Sequence, residues 1–315
     1  MTLKMDGDRP EQQYVDGMWT TSALKRTTEQ QGWSSQTGFR YQRAGIVTHH
    51  LPRGIYRISK SDHGIFFEKQ SFPTDEAVDL PGLPIAYILK QMTLFWERAD
   101  IYRKHGLIHK RGILLYGFPG CGKTSIVRLL CDEIMRRDGI IFSIDDFGLA
   151  AAGVGEFRSA EPDRLIMTIQ EDIEGYFDGT AGPAQLKAAL SFLDGQDQTS
   201  NVVHLATTNE PEKLADRFIK RPGRFDLVLG IHNPSAVTRR AYLKHIDANL
   251  NPPILDEMVQ KTEGLSLAYM RELIATYLCL DIPLDETIAR LKTDAKKKVL
   301  KNPDDLTGFT VGYRG

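Results

Sequence analysis

One stretch constrains this chain more than any other: Gly117-Phe118-Pro119-Gly120-Cys121-Gly122-Lys123-Thr124-Ser125. It fits the P-loop pattern G-x-x-x-x-G-K-[ST], and its flanks suit that pattern. The run Gly112-Ile113-Leu114-Leu115-Tyr116 before it is short, apolar and β-prone, which reads as a buried parallel strand. After it, Ile126, Val127, Leu130, Cys131 and Ile134 recur at helical spacing until Gly139 supplies a stop. Strand, glycine loop and helix start together make a phosphate cradle. Glycines let backbone N–H groups wrap the oxygens, and the helix N-terminus adds partial positive charge. The expected nucleotide-binding residues are Gly117, Pro119, Gly120, Cys121, Gly122, Lys123, Thr124 and Ser125. Lys123 would reach the β- and γ-phosphates of ATP, and the Thr124 hydroxyl would ligate Mg²⁺.

The surrounding pattern predicts an α/β fold. Strands are expected at 112–116, 140–144, 165–170, 202–207 and 227–231, with helix-capable segments between them. That alternation predicts a P-loop NTPase three-layer architecture, a parallel sheet with helices on both faces. Ligands of such open sheets sit at the carboxyl ends of the strands. Residues 79–233 are the expected nucleotide-binding domain. Beyond His232-Asn233-Pro234 the strands stop, and four helices are expected at 235–248, 254–262, 266–280 and 284–299. They form a small helical lid domain over 234–300, before a polar tail at 301–315. Residues 1–78 read as a polar stretch followed by a small β-rich module, with runs at 46–48, 54–58 and 64–67. A helix is expected from Ile85 to about His105. His49, His50 and His63 flank turns, and no cysteine or carboxylate cluster completes a metal set around them.

The net charge of −1 gives no electrostatic reason to expect a polyanion partner. The three cysteines lack paired or metal-like spacing, which suits a reducing compartment. No apolar run approaches membrane-span length, and acidic residues interrupt the N-terminus, so a cytoplasmic location is the expectation.

Hydrolysis needs acids beside the metal and the γ-phosphate. Leu165-Ile166-Met167-Thr168-Ile169-Gln170 leads directly into Glu171-Asp172-Ile173-Glu174. Glu171 would join Thr124 in holding Mg²⁺, and Asp172 would orient or deprotonate the attacking water. The strand Val202-Val203-His204-Leu205-Ala206-Thr207-Thr208 ends in Asn209, whose amide could sit beside the γ-phosphate. Lys220-Arg221-Pro222-Gly223-Arg224-Phe225-Asp226 sets Arg221 and Arg224 on a Pro-Gly turn, which is expected to project both toward a neighbour's nucleotide. An arginine supplied in trans can be worth roughly 10³–10⁵ in rate.

The order and spacing of these four motifs resemble the AAA ATPase family of the AAA+ group, over residues 79–280. Glu161-Pro162-Asp163-Arg164, the reversed pair Glu171-Asp172 and Leu190-Ser191-Phe192-Leu193-Asp194-Gly195 look like the mitochondrial AAA translocase of the Rieske iron–sulfur protein, though no transmembrane segment is evident here. The resemblance implies a homo-oligomeric ring, a hexamer or heptamer, with ATP at subunit interfaces and mechanical work on a protein substrate. Three departures stand out. The water-orienting acid is a methylene shorter than the usual glutamate, which predicts slow turnover unless the backbone compensates. Gln170 takes a normally apolar place. Ala151-Ala152-Gly153-Val154-Gly155-Glu156, where many relatives put an aromatic pore loop, has small residues. Ser266-Leu267-Ala268 resembles the adenine-side segment, and Arg271 is either a second sensor or a surface arginine. Two other readings remain open at this level: a nucleic-acid motor or loader on the same core, and an ATP-gated scaffold with slow hydrolysis.

Overall fold

The computed structural model describes residues 12–15, 18–21, 32–34, 39–44, 50–62, 64–71, 77–176, 182–194, 200–214 and 223–297. All five expected core strands form, within two residues of their expected ends: β7 (Lys110–Tyr116), β8 (Ile140–Ser143), β9 (Ile166–Gln170), β10 (Val202–Thr208) and β11 (Leu227–Gly230). They lie in the order β11-β7-β10-β9-β8 and all pair parallel. Their near-continuous apolar runs are what a sheet covered on both faces requires. On one face α1 (Ile85–Glu97) and α3 (Lys123–Arg136) bury Ile88, Met92, Ile126, Leu130 and Ile134 against Ile113, Leu115 and Leu205. The short α2 (Ala99–Lys104) follows α1 after a break at Arg98, where a single helix to His105 is expected from sequence. The other face carries α4 (Phe147–Ala160) and α5 (Pro183–Asp194).

The sheet does not end at β8. β5 (Gly54–Ser61) pairs parallel with it, in register from Gly54↔Ile140 to Arg57↔Ser143. β6 (Gly64–Gln70), β4 (Arg40–Ala44) and β3 (Gly32–Ser34) then continue antiparallel, so nine strands make one sheet among the described residues. The β-rich module expected ahead of residue 79 therefore shares both the sheet and the hydrophobic core of the nucleotide-binding unit. Trp33, Phe67, Phe142 and Phe157 form one aromatic cluster across the junction, with Trp33 and Phe67 at 4.8 Å and Phe142 and Phe157 at 5.4 Å. The expected strand at 46–48 lies outside the described residues. A short antiparallel pair, β1 (Gln12–Val15) and β2 (Met18–Thr21), forms within a stretch that shows no periodicity in the sequence.

The pore-loop alignment of residues 151–156 is corrected by the fold. They are the middle of α4, not a loop, and only Ile144–Asp146 connect β8 to that helix. At Gly153 the small size has a packing reason: a Cβ there would collide with Ile58 of β5. Asp146 caps the helix by accepting from the Leu149 N–H at 2.9 Å.

Four helices form the lid as the punctuation predicts: α6 (Ala236–Ile246), α7 (Pro252–Lys261), α8 (Leu267–Ile274) and α9 (Leu284–Lys297). A π-helical turn at Ala275–Cys279 extends α8. Leu243, Met258, Met270, Leu273 and Leu291 make a separate core, into which Leu80 of the preceding linker is also buried. The tail at 301–315 lies outside the described residues.

Candidate nucleotide and hydrolysis site

The loop after β7 turns through left-handed glycines. Gly117, Gly120 and Gly122 have φ of 153°, 80° and 105°, and a Cβ on Gly117 would strike the Ile231 carbonyl of the strand beyond. The turn feeds α3, whose first residue, Lys123, is 7% exposed. Its ammonium group donates to the Gly117 carbonyl at 2.7 Å, the Phe118 carbonyl at 3.1 Å and Asn209 Oδ1 at 2.6 Å. Burial pushes the Lys123 ammonium down from its ordinary range; the thiol of Cys121 and the carboxylates of Asp172, Glu174 and Glu171 push back. Cys121 is buried, donates its thiol to Asn233 Oδ1 at 3.2 Å, and has that thiol pushed up to about 11 by burial.

β7, β9 and β10 are adjacent and parallel, so their carboxyl ends bring the other expected residues to Lys123. Thr124 Oγ1 donates to Glu171 Oε1 at 3.0 Å. Asn209 Nδ2 donates to Asp172 Oδ1 at 2.7 Å, so one amide bridges the P-loop lysine and the second acid. Asp172 adopts a left-handed φ of 50°, and its N–H donates to Thr207 Oγ1 at 3.2 Å. Burial, and then the charge of Glu174, push the Asp172 carboxyl up, while Lys123 and the Asn209 hydrogen bond oppose them. Gln170 is buried and donates to Thr168 Oγ1 at 3.0 Å, which in turn meets His204 Nδ1 at 2.8 Å. The departure at 170 thus belongs to a polar chain inside the sheet.

A hydroxyl and a carboxylate in contact are hard oxygen donors, the right kind for Mg²⁺, which commonly takes one or two protein ligands and shares the rest with phosphates and water. Among the described residues no three Asp, Glu, His or Cys side chains gather into a protein-only metal cage.

The arginine turn departs from expectation. Arg221 lies outside the described residues. Arg224 is 2% exposed and turned into its own protomer, donating Nε and Nη2 to the Asp194 carboxylate at 2.6 and 2.8 Å. The outward projection expected of Arg224 is corrected accordingly: a guanidinium removed from water is held by a two-pronged carboxylate partner. Lys110 braces the same turn, donating to the Gly223 carbonyl at 2.6 Å and to the Leu193 carbonyl. The backbone of Arg224 crosses so close to Gly112 that no Cβ could fit there. Lys110 carries no motif and Asp194 stands in the segment 190–195 singled out above, but the sequence shows the role of neither, because both depend on α5 ending beside the turn.

The lid closes the other side. The Ala268 N–H donates to the Gly120 carbonyl at 3.2 Å. Leu267, Ala268 and Arg271 join Val78, Leu80 and Tyr242 around a cleft of about 260 Å³ against the phosphate loop. Sequence reasoning missed Val78 and Tyr242, which carry no motif.

Comparison with known proteins agrees with this geometry. Residues 113–233 match the family described as "ATPase family associated with various cellular activities (AAA)". The chain is 29% identical over 263 residues to human "ATPase family gene 2 protein homolog A", covering 75% of this chain and 29% of that protein. It is 31% identical over 190 residues to an "AAA ATPase forming ring-shaped complexes" of Corynebacterium jeikeium, covering 54% of this chain and 37% of that one. It is 29% identical over 223 residues to the "Proteasome-activating nucleotidase" of Thermococcus onnurineus, covering 65% and 56%. The chain thus spans less than two thirds of each of these relatives, from 29% to 56% of their length.

Proposed function

We propose that this chain, a member of the AAA ATPase family, hydrolyses ATP at the interfaces of a homo-oligomeric ring, hexameric or heptameric, and uses the cycle to remodel or translocate a protein partner. The observation that carries the reading is the Lys123–Asn209–Asp172 chain, at 2.6 and 2.7 Å, beside the Thr124–Glu171 pair. Phosphate-binding cation, polar sensor and two acids converge on one point, where charge builds up in phosphoryl transfer. Lys123 binds the β- and γ-phosphates, giving up its carbonyl partners for phosphate oxygens. Thr124 and Glu171 hold Mg²⁺, which offsets phosphate charge when bound. Asp172 orients the attacking water and accepts its proton; Asn209 keeps that carboxylate and the γ-phosphate in register. Arg221 reaches a neighbour's nucleotide, while Arg224, through Asp194, holds the turn that carries it. The ring is supported by the likeness to the ring-forming ATPase of Corynebacterium, and protein remodelling by the likeness to a proteasome-activating nucleotidase.

The test is a mixing experiment. Lys123→Ala and Arg221→Ala are each expected to be inactive alone. Mixed in equal amounts they rebuild roughly a quarter of the interfaces with both groups intact, because a head-to-tail ring contact is heterologous. Turnover that stays proportional to enzyme on dilution, with no recovery on mixing, rejects catalysis across an interface.

A further inference from the structure

Glu174 stands two residues past Asp172, on a 3-10 turn (Ile173–Tyr176) anchored by the fully buried Ile173. Its Oε1 accepts the backbone N–H of Asn209 at 3.0 Å. Its Oε2 is closed off from solvent and has no hydrogen-bond partner among the described residues. A carboxylate oxygen so placed costs free energy, since water would otherwise solvate it. The contact that comes with it has a specific use. Asn209 lies one residue beyond β10, past the last paired position of that strand. No strand neighbour takes its N–H; Glu174 does. The same short acidic segment therefore grips Asn209 twice, Glu174 by the main chain and Asp172 by the side-chain amide.

We propose that Glu174 is a positioning residue for hydrolysis: it fixes the main chain of Asn209 and, through it, the amide that spans Lys123 and Asp172. The proposal rests on the hydrolytic reading above. Glu174 acts through Asn209 and is not assigned to nucleotide or metal, so its loss should slow the chemical step without weakening ATP binding. A displacement of about 1 Å in a catalytic group can cost on the order of 10²-fold.

The experiment compares the full-length wild type with Glu174→Ala, Glu174→Gln, Asn209→Ala and the Glu174→Ala/Asn209→Ala double variant. Steady-state kcat is measured beside the Kd for Mg-ATP by calorimetry. Glu174→Ala should lower kcat by tenfold or more, with Kd within about threefold of wild type. Glu174→Gln keeps an oxygen acceptor for the same N–H and should restore kcat to within about threefold of wild type. The double variant should be no slower than Asn209→Ala alone, because both changes remove one device. Multiplied losses in the double variant, a Gln variant as slow as the Ala variant, or a Kd that weakens in step with kcat would each overturn the proposal. Hydrogen exchange at the Asn209 amide checks the anchor without turnover. Protection in wild type and Glu174→Gln, lost in Glu174→Ala or in the charge-preserving Glu174→Asp, supports it; equal exchange in all overturns it. A wild type that binds but never hydrolyses ATP rejects the hydrolytic reading and leaves that exchange result to judge Glu174.

Discussion

The two ends of β9 carry similar residues in opposite circumstances. At the amino end Glu161, 4% exposed, accepts from Trp33 Nε1 at 3.0 Å, the Leu51 N–H at 2.6 Å and Arg164 Nη1 at 2.8 Å, and meets His50 Nδ1 at 3.2 Å. Arg158 ties the same loop to Asn201 through backbone carbonyls. Both carboxylate oxygens are used, and the partners come from β3, the segment just before β5 and the loop itself. At the carboxyl end Glu171 and Asp172 are exposed, and Asp172 holds a left-handed backbone. The first cluster is complete without a ligand and fastens the N-terminal strands to the core. The second leaves its two leading carboxylates accessible, as the proposed meeting with phosphate and metal requires.

That contrast can be broken at either end. The largest effect is expected from Asp172→Asn, which should lower ATP turnover about 10³-fold, or about 4 kcal/mol of barrier, while leaving the thermal midpoint unchanged or raised. Turnover and melting measured on the same preparation check it. Glu161→Ala should do the reverse. It leaves the Trp33 Nε1–H and the Leu51 N–H without their acceptor and takes one of two carboxylates from Arg164, which keeps Asp138, and should cost on the order of 3 kcal/mol in urea unfolding, with Mg-ATP affinity intact. If Glu161→Ala weakened ATP binding at full stability, the division of labour would be wrong. Between the ends lies His204, whose imidazole burial pushes down to about 3, with Lys110 adding to the effect. The unfolded chain takes up a proton there below about pH 6.5 and the native chain does not until about pH 3, so this site removes stability as pH falls through that window. His204→Gln should flatten the pH dependence of unfolding there by about 1.4 kcal/mol per pH unit. The smallest effect belongs to the half-exposed Arg57–Asp145 pair at 2.7 Å. Arg57→Ala should cost about 0.5 kcal/mol or less, and added salt should erase the difference.

The phosphate loop, the five core strands and the lid helices were legible because each is written locally, in apolar period and glycine placement. Glu171, Asp172 and Asn209 were legible because parallel strands bring their carboxyl ends together by construction. What escaped was decided by partners distant in the chain. Residues 151–156 look like a loop of small residues until Ile58 is known to press on Gly153. Arg224 looks like an outward group until α5 delivers Asp194 to it. Glu174 stood in the acidic run with nothing to show that it faces the Asn209 main chain, 35 residues on.

The parallel pairing of β5 with β8 bears on how this protein can be cut. A fragment starting at residue 79 would retain every phosphate-loop residue and look, on paper, like a minimal catalytic unit. It would also uncover the ladder at Ile140–Ser143 and strip Trp33 and Phe67 from Phe142 and Phe157. A raw strand border beside bared aromatic rings recruits other chains, so trimming there trades a tidy boundary for an insoluble product.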